Sequence, residues 1–212
     1  MNIKRTGILF CICGPAGAGK TTIASYLIQN LPPCTFSVSV TSREPRPGEV
    51  EGKSYYFVDK KDFESKISKD EFFEYEEVHG NYYGTLKSSV NDALNNGQDL
   101  LLDIDIKGAL NFKKKLPLNT VILFVTPPNR SILKERLLAR GKMSKDELAK
   151  RMKTAQAEFD TLVKLSDQQQ IDYFMVNNVL EDTLRATASI LIAERLRLLR
   201  LNVEDLKEIC ND

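Results

Sequence analysis

Net charge is almost missing from this chain: 30 lysines and arginines against 29 aspartates and glutamates leave +1 at neutral pH. No global field recruits nucleic acid or acidic lipid, so any basic function has to be local. Cysteine is scarce and scattered. Cys11, Cys13, Cys34 and Cys210 are too few for a disulfide framework. The C-x-C pair inside Ile8–Cys13 reads as two small buried strand residues rather than a metal or redox pair. No run reaches the ~18 apolar residues of a membrane span, and Met-Asn-Ile-Lys-Arg-Thr-Gly lacks the apolar stretch of a signal peptide. Cytoplasmic residence with no membrane and no nucleic-acid partner is the expectation. Histidine occurs once, as His79, and receives no role. Internal repeats and low-complexity linkers are absent. What remains is ordinary: 42% hydrophobic and 28% charged residues over 212 positions suit one domain with a proper core.

Four short apolar runs, Ile8–Cys13, Leu100–Ile104, Val121–Val125 and Tyr173–Val176, read as strands buried on both faces. Helical patterns follow each: Lys20–Gln29, Ile106–Lys115, Arg130–Ala139 and Leu180–Leu201, the last with Asn178 as an expected N-cap. Ser144 with Glu147 forms a capping box opening a further helix to about Leu165. Strands alternating with helices predict an α/β fold, a parallel-sheet core with helices on both faces. One stretch breaks the alternation. Between Cys34 and Gly97, the aromatic and β-branched pieces Phe36–Val40, Ser54–Val58 and Phe72–Val78 predict a small, mostly antiparallel sheet inserted in the core. A crossover needs far fewer residues, so the insertion is expected to carry function.

Gly14-Pro15-Ala16-Gly17-Ala18-Gly19-Lys20-Thr21 is a full match to the phosphate-loop pattern, with an apolar strand before it and a helix after it. The glycines let the backbone curl so that N–H groups point at nucleotide phosphates, and the helix adds the positive end of its dipole. Lys20 can reach the β- and γ-phosphates, and Thr21 can offer its hydroxyl to Mg²⁺. Asp103, at the end of the second core strand, fits a carboxylate that helps hold the hydrated cation; capping of the next helix is its alternative role, more so for Asp105. Arg136 and Arg140 share a helix face, a repulsive arrangement unless something negative visits, such as a transferring phosphoryl group. Gly141 and the polar Lys142–Lys145 suggest a mobile lid, with Arg151 beyond it as a further clamp residue. In the insertion, Arg43 and Arg46 can grip a phosphate, with hydroxyls from Tyr55, Tyr83 and Thr85 nearby in sequence. Glu74 can accept hydrogen bonds from the N1–H and 2-amino group of guanine.

Together these segments resemble guanylate kinase over about Gly7 to Arg195. The most diagnostic stretches are Thr41-Ser42-Arg43-Glu44-Pro45-Arg46-Pro47-Gly48-Glu49 and Gly80-Asn81-Tyr82-Tyr83-Gly84-Thr85, beside Gly14–Thr22 and Leu102-Asp103-Ile104-Asp105. The resemblance implies an ATP:GMP phosphotransferase with Mg²⁺ and ATP as donor, making ADP and GDP by direct in-line transfer. It implies a core (1–34, 98–139 and 157–212), a GMP-binding lobe (35–97) and a lid (140–156). Arg43, Arg46, Tyr55 and Tyr83 would hold the GMP phosphate, and Ser39, Glu74, Thr85 and Asp105 would surround the guanine. Arg136, Arg140 and Arg151 would close over the ATP phosphates, Thr22 would extend the phosphate loop, and Asn177 would lie near the adenine. The alternatives are a non-catalytic interaction module of the same fold and a related kinase with a phosphorylated-sugar acceptor. Departures from the usual pattern are Ala16 for a frequent serine, Ser42 for a common threonine and Lys107 for the usual glutamine. Monomer and homodimer are both compatible with the sequence.

Overall fold

The computed structural model describes residues 3–78, 80–139, 141, 143–165, 168 and 170–211. Strand β1 (Leu9–Cys13) is the centre of a parallel five-stranded sheet with β2 (Cys34–Phe36), β7 (Asp99–Asp103), β8 (Thr120–Thr126) and β9 (Tyr173–Val176), in the order β2-β7-β1-β8-β9. The period of two splits β1 between two cores. Leu9, Cys11 and Cys13 face the side covered by α3 (Lys87–Asn95), α4 (Ile106–Lys115) and the second half of α6 (Lys145–Leu165). Phe10 and Ile12 face α1 (Lys20–Asn30) and α7 (Leu180–Arg195). Cys11 and Cys13 are thus free, fully buried packing residues, and burial drives both thiols well above their ordinary pKa.

The insertion forms a second sheet of β4 (Tyr56–Phe57), β3 (Val40–Thr41), β6 (Asn81–Leu86) and β5 (Phe72–Val78), in that order. Its β3–β6 and β6–β5 pairs are antiparallel and β3–β4 is parallel. Helix α2 (Lys60–Ser68), capped by Asp59, covers it with Phe63, whose ring stacks 4.4 Å from Phe72 and 5.2 Å from Tyr82. The expected run Phe36–Val40 is divided: Phe36 ends β2 in the parallel sheet, and only Val40 enters the inserted one. Two helices and a strand went unread. In α2 only Phe63 is fully buried, and β6 carries Gly84 among tyrosines and looks like a turn. In α3, Val90, Ala93 and Leu94 have helical spacing but sit among polar residues.

After β8, helix α5 (Arg130–Ala139) packs on α6, with Leu133 and Leu137 against Ala155. Ser144 Oγ accepts from the Glu147 N–H as the capping box requires, but the Glu147 carboxylate turns to Arg151 instead of completing the box. The expected cap Asn178 is not the cap. Its N–H bonds back to Val176, and Val179 takes the position without a side-chain hydrogen bond. Helix α7 also stops at Arg195 rather than Leu201. Glu194, 4% exposed, draws Arg200 back at 2.9 Å, and the chain closes a short 3-10 turn at Leu198–Arg200. Helix α8 (Val203–Asn211) follows, started by Asn202 Oδ1 and tied to the Lys4 N–H through Asp205. No described helix is long and apolar enough to cross a membrane.

The fully buried carboxylate of Asp99 closes the core. It accepts from both terminal nitrogens of Arg5 (2.7 and 2.9 Å), from Arg195 Nε (2.7 Å) and from the Ile8 N–H (3.0 Å). Removing one member of such a set strands buried charge, at a cost of about 3–5 kcal/mol. Asp99→Ala is therefore expected to lose about that much stability, read as a lower urea midpoint at unchanged slope.

Candidate active site

The turn from β1 into α1 is built by what it cannot accommodate. A Cβ on Gly14 would stand 2.0 Å from the Val125 carbonyl oxygen, and one on Gly19 would stand 2.3 Å from Asn177 Nδ2. Both glycines have positive φ, +127° and +98°, which other residues adopt only with strain. Gly19 therefore serves as the N-cap of α1, and Ala18 N–H bonds the Pro15 carbonyl inside the loop. Asn177, 3% exposed, donates through Nδ2 to the Ala18 carbonyl at 2.8 Å. Arg136 donates to the Asn177 carbonyl at 2.9 Å. The two residues thus prop the loop from the ends of α5 and β9.

Lys20 Nζ donates to the Gly14 carbonyl (2.7 Å) and lies 3.5 Å from Asp103. Thr21 Oγ1 donates to the same carboxylate at 3.2 Å. A hydroxyl and a carboxylate oxygen side by side, without a cage of further ligands, suit a cation that keeps most of its water, as Mg²⁺ does. Among the described residues no larger cluster of His, Cys, Asp and Glu stands ready for a metal. Asp105 caps α4 through the Gly108 N–H (2.8 Å), so the helix-capping role is realised. A further carboxylate, Glu158 of α6, lies within electrostatic reach of Lys20, Asp105 and Asp103; burial, then those two aspartates, raise its pKa against the pull of Lys20. It sits mid-helix in a polar stretch, and no sequence signal singled it out.

Across the cleft, the inserted lobe presents its own cluster. A bulge in β5 between Phe72 and Glu74 lets three consecutive side chains part company. Phe72 enters the lobe core, Phe73 packs on Phe112 of the main core, and Glu74 accepts from Thr85 Oγ1 at 3.3 Å. Gly84 makes the close pairing possible, since a Cβ there would meet the Phe72 ring at 2.8 Å. Glu74, with Ser39, Tyr55, Thr85 and Asp103, lines a cavity of about 290 Å³. An adjoining one of about 450 Å³ shares Ser39 and Glu74 and adds Tyr83, Asp105 and Lys107. Burial raises the Glu74 pKa, Asp105 and Glu76 add to the shift, and the Thr85 hydroxyl opposes it.

Arg43 stands over Tyr55, its guanidinium carbon 5.5 Å from the ring centre, and the Tyr55 and Tyr83 rings meet edge-on at 6.0 Å. Glu49 accepts from Arg43 Nη2 at 2.9 and 3.0 Å and from the Arg46 N–H at 2.7 Å. One carboxylate thereby fixes both arginine positions, and the Arg43 bond lowers its pKa. Glu49 belongs to the arginine-rich run but gained no role from sequence. Its signal was available: an acid three residues after Arg46 and six after Arg43, across a turn.

The structure thus gathers Gly14 to Thr22, Asp103, Arg136 and Asn177 on one side, and Ser39, Arg43, Tyr55, Glu74, Tyr83, Thr85 and Asp105 on the other. Arg46 shows an exposed side chain. Arg151 is not drawn to the phosphate loop; it pairs with Glu147 on its own helix at 2.9 Å. Arg140, Lys142 and His79 lie outside the described residues.

A phosphate loop on a parallel sheet, facing an inserted lobe across an acidic cleft, defines the class of P-loop α/β proteins with an inserted lobe. Residues 6–194 match the family model described as guanylate kinase. Guanylate kinase of Clostridium acetobutylicum is 42% identical over 208 residues, covering 97% of this chain and 96% of its own. That of Thermotoga maritima is 42% identical over 194 residues, covering 92% and 90%. A crystal structure of guanylate kinase from Anaplasma phagocytophilum superposes with a TM-score of 0.69 at 32% identity, over 97% of this chain and 94% of that one. The chain belongs to the guanylate kinase family.

Gly19→Ala should test the wedged loop. Its Cβ meets Asn177 and its φ is unfavourable, so a stability loss of about 1–3 kcal/mol is expected, measured by thermal melting.

Proposed function

We propose that this protein transfers the terminal phosphoryl group of MgATP to GMP, with dGMP as a second acceptor, giving ADP and GDP (or dGDP). The observation that carries this reading is the double membership of Asp103. It holds Thr21 and Lys20 of the phosphate loop and also lines the cavity containing Tyr55, Glu74 and Thr85. Donor and acceptor sites therefore meet at one carboxylate. The names of the relatives support the same substrates.

On this reading the loop N–H groups and Lys20 cradle the donor phosphates, Lys20 exchanging its Gly14 carbonyl for phosphate oxygen. Thr21 and Asp103 would hold Mg²⁺, which neutralises charge on the β- and γ-phosphate oxygens when bound. Arg43, Arg46, Tyr55 and Tyr83 grip the GMP phosphate. Its oxygen attacks the γ-phosphorus as the bond to the bridging oxygen breaks and ADP departs. Ser39, Glu74, Thr85 and Asp105 read the guanine, and Asn177 borders the adenine. Arg136 at the edge of the core, with Arg140 and, swung from Glu147, Arg151 of the lid (140–156), closes over the phosphates, while the lobe (35–97) closes from the other side. Phosphoryl transfer needs positioning and charge more than covalent help, which this set supplies. The intact Lys20–Thr21–Asp103 geometry speaks against a non-catalytic module. A cytoplasmic enzyme, monomeric or homodimeric, with ATP and GMP as its partners completes the reading.

ADP formation from MgATP with GMP, AMP, UMP or no acceptor tests it: turnover is expected with GMP, and its absence would sink the proposal. Glu74→Gln replaces an acceptor of two donors by an amide that offers one of each. Hydrogen bonds to a charged group contribute about 1.5–3 kcal/mol, so KM for GMP should rise about ten- to a hundredfold while KM for ATP stays put. Acid should act in the same direction. The pKa of Glu74 is raised, so the ionised, accepting form is lost as pH falls through a value above the ordinary glutamate range. KM for GMP climbs there in the parent protein, and in E74Q that limb is missing.

A further inference from the structure

Glu158 holds a buried carboxylate oxygen, Oε2, with no hydrogen-bond partner. Leaving such an acceptor unmade is costly, so a folded chain that keeps one calls for a donor that arrives from outside. The position is well anchored. Ala155, one turn earlier, is buried against Leu133 and Leu137, and the adjacent Phe159 packs on Phe124 at 6.1 Å between ring centres. The charges that act on it are Lys20, Asp105 and Asp103. The buried cluster around Ala155 also takes in Ala16 of the phosphate loop, so this turn of α6, with Glu158 between Ala155 and Phe159, packs against the loop. Lys20 is the only cation among the charges that act on Glu158, against the two carboxylates Asp105 and Asp103. Lys20 is already bonded to Gly14 and near Asp103, and Thr21 donates to Asp103.

We propose that Glu158 is a positioning residue for the divalent cation of the nucleotide, its free Oε2 accepting a hydrogen bond from water in the cation's hydration shell. The inference rests on the MgATP reading above. It extends the cation site from Thr21 and Asp103 to α6, the helix that also carries Arg151. Direct ligation is not required, and the absence of a larger ligand cluster among the described residues agrees with contact through water.

The test uses the full chain and needs no turnover. Calorimetric titration of ADP in EDTA and in excess Mg²⁺ gives nucleotide affinity with and without metal. Electron paramagnetic resonance of free Mn²⁺ in the presence of ADP gives the metal affinity directly. In Glu158→Gln, ADP affinity in EDTA should match the parent, while Mn²⁺ affinity falls about ten- to a hundredfold, the usual effect of losing an outer-sphere partner. The melting temperature should hold or rise, because a neutral amide is easier to bury than an unpaired carboxylate. Where the amide disturbs folding, Glu158→Ala carries the same comparison. Metal affinity unchanged in the variant overturns the inference, as does an equal loss of ADP binding with and without metal. No metal effect on ADP binding in the parent chain would overturn the MgATP reading itself, and this inference with it.

Discussion

The phosphate loop has no slack, and much of the surrounding architecture follows from that. Gly14 lies so close to the Val125 carbonyl, and Gly19 so close to Asn177, that neither position has room for a single methyl group. The loop is therefore a wedge between β8 and the end of β9, held by one buried hydrogen bond from the Asn177 side-chain amide to the Ala18 carbonyl. Arg136 reaches the same asparagine, so the end of α5 is referenced to the loop through a backbone carbonyl. Because β1 sits centrally between β7 and β8, the carboxylate ending β7 arrives beside Lys20 and Thr21 without any long-range adjustment.

The inserted lobe solves a different problem: it keeps a carboxylate partly buried yet still able to accept hydrogen bonds. The β5 bulge places Glu74 beside Thr85 and opposite Asp105, where burial raises its pKa but one hydroxyl already supports it. Phe72 and Phe73, its two neighbours, anchor the strand to the lobe core and the main core respectively. Lys115 of α4 adds a bond to the Phe73 carbonyl. The same chemistry that aims Glu74 also ties the lobe to the sheet. In the arginine-rich turn of the lobe, Glu49 performs the comparable service for the Arg43 side chain and the Arg46 backbone.

The core strands, the phosphate loop and the helices following them were legible because each is a local pattern: apolar runs, glycine spacing and 3.6-residue periodicity. Tyr173–Val176, Ile106–Lys115 and Arg130–Ala139 coincide with their elements to the residue. Legibility failed where a distant partner decides. Helix α7 stops at Arg195 because buried Glu194 recruits Arg200, and Asn178 loses the cap because the chain turns there onto Val176 and enters the helix one residue later, after Val179. The division of Phe36–Val40 between two sheets depends on β7 offering Phe36 a parallel partner, which no window around Phe36 contains.

The guanylate kinase resemblance, the phosphate loop and the donor and acceptor residue types were determined by the sequence itself, since they are residue identities at fixed spacing. Tertiary structure alone decided that Asp103 touches the phosphate loop and also lines the cavity with Glu74, that Asp105 caps a helix while lining the adjoining cavity, and that Arg151 rests on Glu147. It alone packed the Ala155–Phe159 turn of α6 beside Ala16 of the phosphate loop and left a Glu158 oxygen buried and unpaired. The reason is physical. A carboxylate's function is set by which charges and donors surround it in a medium of low dielectric, and those neighbours come from segments far apart in the chain.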